Sequence, residues 1–119
     1  MANLNDSLAT LLAVDGALGA TVVDSGSGMS LGAAGTGLDL ELAAAGNTEV
    51  VRAKLKTIKA LGLDQDIDDI LITLSGQYHI IRPLSKSPEV FIYLALDKSR
   101  ANLALARRAT TEVEKALEL

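Results

Sequence analysis

Two periodicities of apolar and polar residues divide this chain into predicted helical and extended segments. Leucines recur at helical spacing from position 4 to position 12, directly after polar residues that can cap a helix. The segments ALGATVVD (17–24) and MSLGAAG (29–35) then flank the turn sequence DSGSG, and small and β-branched residues dominate both. This arrangement predicts a first helix followed by a β-hairpin.

A long helix is predicted next, because helix-forming residues extend from Leu38 to Leu61. Gly46 and Asn47 interrupt the run, and such a helix could kink or restart there, while Gly62 is a natural end. In the second half of this segment the apolar residues cover an arc of about 140° on a helical wheel. Because one face of a sheet needs less than that, we expect the helix to contact a second surface, and a second copy of the chain is the simplest candidate.

The last third of the sequence contains three extended segments and a final helix. ILITL (70–74) is apolar, YHIIRPL (78–84) has one consistently apolar face, and VFIYLAL (90–96) is apolar on both sides. The third segment is therefore expected to be a central strand covered on both faces. The final helix is expected to be capped by Ser99 and to bury a stripe made of Leu105, Ala109, Val113 and Ala116.

These segments follow the order helix, two strands, helix, three strands, helix. Five strands and three helices in the order α-β-β-α-β-β-β-α predict an α+β layered domain and exclude a doubly wound parallel sheet. A chain of 119 residues is long enough to bury one core. We therefore expect a single domain over 1–119.

The composition excludes some classes of function but does not identify the function. Apolar residues make up 49% of the chain and charged residues 22%, as in ordinary globular domains, and the net charge of -4 argues against nucleic acid as the main partner. The absence of cysteine excludes disulfides and thiolate metal sites. The N-terminal sequence lacks the pattern of a leader, and no apolar run approaches the roughly 20 residues of a membrane span. We expect a cytoplasmic protein without membrane insertion.

Several features suggest chemistry, but each has a simpler structural explanation. The glycines between positions 26 and 37 match neither phosphate-binding motif, so turns and close backbone packing are favoured. The aspartates between positions 64 and 69 lack the spacing of a calcium loop, which favours a solvated connection. His79 is the only histidine and has no cysteine as a partner, so a structural role is favoured. We expect no enzyme activity, no cofactor and no metal.

Charged and polar positions around the two later helices remain as candidates. Arg52, Lys56 and Lys59 share one side of the long helix, which is either a solvated face or a docking surface for an acidic partner. In the stretch DKSRANLALARR, Asp97 ends the central strand, Ser99 is expected to open the final helix, and Asn102 falls in its apolar arc. We interpret Asn102 as a structural residue that ties the strand end to the helix start through backbone hydrogen bonds.

The sequence resembles the Roadblock/dynein light chain family in its single-domain bacterial form, from Leu4 to Leu117. The resemblance depends on four blocks, of which the last two are the more specific. They are GALGATVVDSGSGMSLGAAG, the alanine-rich long helix, LGLDQDIDDILITLSGQYHIIRPL and FIYLALDKSRANLALAR.

This resemblance implies an antiparallel sheet of profilin-like topology and a homodimer. In that dimer the long second helices pack together, and the third strands extend one sheet across both subunits. The candidate interface positions are Val50, Val51, Lys54, Ile58, Leu61, Ile70 and Ile72. The resemblance also implies binding of Ras-like small GTPases or adaptor work instead of catalysis, and the gliding-motility relatives stimulate GTP hydrolysis by their partner.

Three hypotheses about function therefore stay open at this point. The first is a non-catalytic homodimeric regulator or scaffold for a Ras-like small GTPase. The second is a domain that senses a small ligand. An internal pocket with convergent polar groups would support this hypothesis. The third is an adaptor that pairs with other proteins of its own family without a GTPase.

Overall fold

The computed structural model describes residues 2–119, which form three helices and five strands. The described elements follow the predicted order. They are α1 (Leu4–Leu12), β1 (Ala17–Asp24), β2 (Met29–Gly35), α2 (Leu40–Ala60), β3 (Ile70–Thr73), β4 (Gln77–Pro83), β5 (Val90–Asp97) and α3 (Leu103–Ala116). None of the helices formed by residues 2–119 is long and apolar enough to cross a membrane.

The five strands form one antiparallel sheet with the order β2-β1-β5-β4-β3. β5 is the central strand and is buried from Val90 to Leu96, as its two apolar faces predict. The helices α1 and α3 pack on one face of the sheet, over a core that includes Leu11, Val22 and Ile92. α2 covers the other face, over a second core that includes Val51 and Phe91. The predicted α+β sandwich is therefore confirmed.

β4 contributes to both cores, which corrects the prediction of a single apolar face. Ile80 faces the core under α1 and α3, whereas Ile81 faces the core under α2, and both side chains are completely buried. The charged and aromatic residues at alternate positions of the strand conceal this pattern in the sequence. β4 is therefore covered on both faces at its middle.

Two glycines of the first hairpin are required by close packing. A Cβ atom on Gly32 would lie 2.9 Å from the side chain of Leu4, so the glycine allows α1 to approach β2. Gly35 has φ +102°, and a Cβ atom there would lie 2.6 Å from the carbonyl oxygen of Leu18. Gly32 is therefore needed for the packing of α1 on the sheet, and Gly35 for the close approach of two backbone segments.

α2 continues without a break through Gly46 and Asn47. It begins after Asp39, whose carboxylate accepts a hydrogen bond from Leu42 N at 3.1 Å, so Asp39 is the cap and not part of the helix. Asn47 keeps a helical conformation while its amide donates to the Ala43 carbonyl at 2.8 Å. At the other end, Gly62 has φ +71° and its N–H donates to the Lys59 carbonyl, as in a Schellman ending.

The start of α3 lies three residues later than predicted. Asn102 is the cap, and its side chain accepts a hydrogen bond from Leu105 N at 3.1 Å. Ser99 instead belongs to the turn after β5, where its N–H and hydroxyl both donate to Asp97 Oδ1. These hydrogen bonds from Ser99 hold the pKa of the Asp97 carboxyl below its usual value. Asp97, and not Asn102, therefore fastens the strand end to the following turn.

The fully buried residues of α3 coincide with the predicted stripe only at Val113. Leu105 is 57% exposed, so the predicted stripe is wrong at this residue, and Asn102 is exposed instead of lying in an apolar arc. The side chains that α3 buries are Ala106, Thr110, Val113 and Glu114. Glu114 is the one charged residue among them.

Candidate interaction surface

α2 extends beyond the part of the sheet that it covers. Its buried side chains end at Val51, and every residue from 52 to 57 is exposed. The helix lies mainly over β1 and β2, at one side of the sheet. Leu55 and Ile58 nevertheless lie in its C-terminal half, and Leu61, which is 65% exposed, directly follows it. This half of the helix therefore has apolar residues that its own chain does not cover.

The sheet on the same side has a second incompletely covered apolar region at its β3 edge. In the strand register, Ile72 lies opposite His79, and Ile70 lies opposite Ile81. Burial increases from this edge toward the centre, because Ile70 and Ile72 are half-buried whereas Ile81 is fully buried. β3 has no neighbour on its outer side among the described strands. We call Ile58, Leu61, Ile70 and Ile72 together the α2–β3 surface.

The other predicted interface positions differ from one another in burial. Val51 is 1% exposed and packs in the core under α2, which corrects its assignment to an interface with a partner. Val50 is half-buried against the same core, and Lys54 is exposed. The helical wheel could not distinguish Val51 from Ile58, because the position where α2 leaves the sheet is set by the tertiary structure.

The three basic candidates on α2 also differ in their surroundings. The guanidinium of Arg52 donates to the carbonyl oxygens of Ser25 and Gly26 at 2.5 and 2.9 Å. Arg52 therefore fastens the β1–β2 turn to the middle of α2, and it is not only a solvated charge. Lys56 and Lys59 are exposed and form no ion pair within residues 2–119, so they stay candidate docking residues.

His79 belongs to a hydrogen-bonded chain beside the α2–β3 surface. Its Nε2 lies 2.8 Å from Gln77 Oε1, and its Nδ1 lies 3.2 Å from the hydroxyl of the buried Tyr93. Burial lowers the pKa of His79 and raises the pKa of Tyr93, so both side chains are neutral at pH 7. Two hydrogen bonds and an edge-to-face contact with Tyr93 account for this histidine as a structural residue.

An ion pair that the sequence analysis missed joins the end of β4 to α3. The Glu114 carboxylate accepts hydrogen bonds from Arg82 Nε at 2.6 Å and from the N–H and hydroxyl of Ser85 at 2.8 and 2.6 Å. Burial raises the pKa of Glu114, but the hydrogen bonds from Ser85 and Arg82 outweigh it and hold the pKa below its usual value. A signal exists in the sequence, because Arg82 alternates with Ile80 and Glu114 follows Val113 in the buried stripe.

A second ion pair involves the acidic connection between α2 and β3. Asp69 accepts two hydrogen bonds from the guanidinium of Arg107, at 2.6 and 2.9 Å. These bonds raise the pKa of Arg107. Asp69 therefore joins the beginning of β3 to α3. No three acidic or histidine side chains within residues 2–119 are grouped so that they could hold a metal ion.

Comparisons with known proteins identify the architecture. No family model matches the sequence, and no curated protein matches it either. Among solved structures, the Roadblock/LC7 domain from Streptomyces avermitilis superposes with a TM-score of 0.82 at 12% identity, covering 97% of this chain and 94% of that one. The chain has the Roadblock/LC7 fold.

Two further structures with this fold are similar to nearly the whole chain. Myxococcus xanthus MglB superposes with a TM-score of 0.79 at 16% identity, over 94% of this chain and 91% of its own. The gliding protein mglB from Thermus thermophilus gives a TM-score of 0.79 at 17% identity, over 94% of this chain and 83% of its own. The likeness confirms the Roadblock architecture predicted from the four sequence blocks.

Proposed function

We propose that this chain is a non-catalytic homodimeric regulator or scaffold that binds a Ras-like small GTPase. The observation that carries the proposal is the α2–β3 surface, where apolar side chains are left partly uncovered on a chain with the Roadblock fold. A second copy that packs against α2 would remove Leu61 and Ile58 from water. Burial of such side chains contributes about 1.5–3 kcal/mol each when it is complete.

The outer edge of β3 supports the same dimer. An edge strand presents unpaired backbone N–H and C=O groups, and these groups favour pairing with another strand. β3 carries Ile70 and Ile72 and has no charged residue that would discourage pairing. We therefore propose that the β3 strands of two copies pair and extend the sheet across the dimer.

The charges along α2 fit an antiparallel arrangement of the two helices. Asp39, Glu41 and Glu49 lie in or before the first half of α2, whereas Lys54, the basic residue among the candidate interface positions, lies in the second half. In an antiparallel pair the acidic half of one helix lies beside the basic half of the other. Such complementarity fixes the orientation of an interface more than it adds affinity.

Binding to a GTPase is the step that needs a direct experiment. The test uses the Ras-like small GTPases of the organism that encodes this chain, each loaded either with GDP or with a non-hydrolysable GTP analogue, and measures binding by calorimetry at low salt. We expect binding that depends on the nucleotide. A GTPase that binds equally in both states, or not at all, would contradict the proposal.

The docking face can be tested in the same assay. The double substitution Lys56→Glu and Lys59→Glu is expected to weaken GTPase binding, whereas Lys86→Glu, an exposed lysine on the β4–β5 loop, provides the control. Arg52 is left unchanged because it holds the β1–β2 turn. Equal affinities for all three proteins would mean that the basic side of α2 is only a solvated face.

The two other hypotheses have different expected results. A small-ligand sensor requires an internal pocket, but the grooves of 330 and 390 Å³ in this structure are open to the surface. An adaptor without a GTPase would self-associate or bind another Roadblock protein and give no nucleotide-dependent signal. Self-association through the α2–β3 surface is common to the regulator and the adaptor, so nucleotide-dependent binding is the result that distinguishes these two hypotheses.

A further inference from the structure

A groove of 330 Å³ opens at the end of the sheet, next to the α2–β3 surface. It lies between the C-terminal half of α2 and the C-terminal end of α3, beside the last residues of β4. The connection between α2 and β3 forms one of its sides. We call it the sheet-end groove, and its apolar lining consists of Leu55, Ile67, Pro83, Leu84 and Pro88.

The bottom of the sheet-end groove is held by the buried ion pair described above. Glu114 and Arg82 both line it, and Glu114 accepts three hydrogen bonds from Arg82 and Ser85. The charge of Arg82 is therefore compensated inside the protein. Because these groups fix one another, the groove exists in the free chain and does not have to form on binding.

The side of the groove has a regular pattern of charge and apolarity. Asp66, Ile67 and Asp68 follow one another in a segment without helix or strand, where Ile67 is half-buried and both aspartates are exposed. Neither aspartate forms an ion pair within residues 2–119. Lys115 lies on the opposite side as the one cation of the lining besides Arg82. After the Arg82–Glu114 pair is set aside, the lining has a net negative charge.

We propose that the sheet-end groove binds a segment of a partner protein in which one aliphatic side chain is flanked by lysine or arginine on both sides. The aliphatic side chain packs on Ile67, Leu55 and Pro88, and the two cations lie beside Asp66 and Asp68. A volume of 330 Å³ is at the small end of ligand pockets, which span about 300–1,000 Å³, so it suits one anchor side chain better than a large cofactor. This site is additional to the GTPase regulator proposed above and does not depend on it.

The test is a titration of the ¹⁵N-labelled protein with the peptide acetyl-Ser-Lys-Leu-Lys-Ser-amide, followed by NMR. We expect the amide signals of Ile67, Ser85 and Lys115 to shift together and to saturate. Two control peptides separate the contributions: one has glutamate in place of both lysines, and the other has serine in place of leucine. Both controls are expected to bind at least about tenfold more weakly.

Charge-reversal variants locate the binding site. The double substitution Asp66→Lys and Asp68→Lys is expected to weaken peptide binding about tenfold or more. Asp64→Lys is the positional control, because it lies on the same connection but does not line the groove, and it is expected to change affinity by less than about threefold. Retained dispersion of the NMR spectrum shows that each variant is folded.

Three results would overturn the proposal, and two of them use only the unchanged protein. The first is the absence of saturable shifts with the lysine peptide. The second is equal binding of the glutamate peptide, or shifts that map outside the groove. The third is equal weakening by Asp64→Lys and by the double variant, which would indicate a general effect of net charge instead of a site.

Discussion

Glu114 and Glu112 lie two positions apart on α3, and only Glu114 has a buried carboxylate. We expect Glu114→Ala to lower the free energy of unfolding by about 3 kcal/mol, because it leaves the charge of Arg82 and the N–H of Ser85 without their acceptor. Glu112→Ala is the control: its ion pair with Arg108 is exposed, and its loss is expected to cost at most about 0.5 kcal/mol. Urea unfolding measures both, and equal losses would contradict this account of the ion pair.

His79 makes the stability of the chain dependent on pH. Burial lowers its pKa in the folded state below the ordinary value of 6.5, so the unfolded chain takes up the proton first as the pH falls. The contribution of His79 is therefore fully present above pH 6.5 and is lost as the pH falls through its folded-state pKa. We expect the free energy of unfolding to decrease between about pH 7.5 and 5.5. His79→Gln should flatten this dependence, and an unchanged slope in the variant would show that other groups cause it.

Substitution of two glycines, one inside α2 and one just after its end, is expected to change stability in opposite directions. A Cβ atom at Gly46 or at Gly62 would meet no other atom within 4 Å, so space does not distinguish them. Gly46 lies inside the helix, and Gly46→Ala is expected to raise the free energy of unfolding by about 0.5–1 kcal/mol. Gly62 has φ +71°, and Gly62→Ala is expected to lower it by about 1 kcal/mol. Thermal unfolding of the two variants in parallel is the measurement, and shifts of the same sign would contradict the expectation.

The elements themselves could largely be predicted from the sequence, because their apolar periodicity is strong and glycine or polar turns separate them. The start of α3 could not, since Ser99 and Asn102 are both good caps and only the hydrogen bonds of Asp97 decide between them. Leu105 was wrongly expected to be buried, because the apolar periodicity alone does not show which side of α3 faces the sheet. Gly46 was likewise ambiguous, because a glycine inside a helix costs less than the packing of the surrounding turns contributes.

The candidate interaction surface could be predicted only in part, because it depends on how α2 packs on the sheet. The wide apolar arc on α2 correctly indicated more apolar surface than one sheet face covers. Which of its members remain uncovered depends on where α2 leaves the sheet, and this assigned Val51 to the core and Leu61 to the surface. The same holds for Arg52, because its partners Ser25 and Gly26 lie far away in the sequence.

The sheet-end groove is also a property of the whole molecule. Its lining comes from α2, the connection to β3, the end of β4 and α3, and no single sequence motif joins these parts. Its lining residues Leu55 and Asp68 are three and two residues away from Ile58 and Ile70, so the groove adjoins the α2–β3 surface.

Self-association through the α2–β3 surface is the central claim, and sedimentation equilibrium of the full chain tests it most directly. We expect a species of twice the 12.4 kDa chain mass, and we expect Ile72→Asp, at the β3 edge, to shift the equilibrium to the monomer. Leu31→Asp, on the opposite edge strand β2, is the control and is expected to remain dimeric. A wild-type chain that sediments as a monomer from micromolar to millimolar concentration would contradict the account, as would a dimer that Ile72→Asp leaves intact.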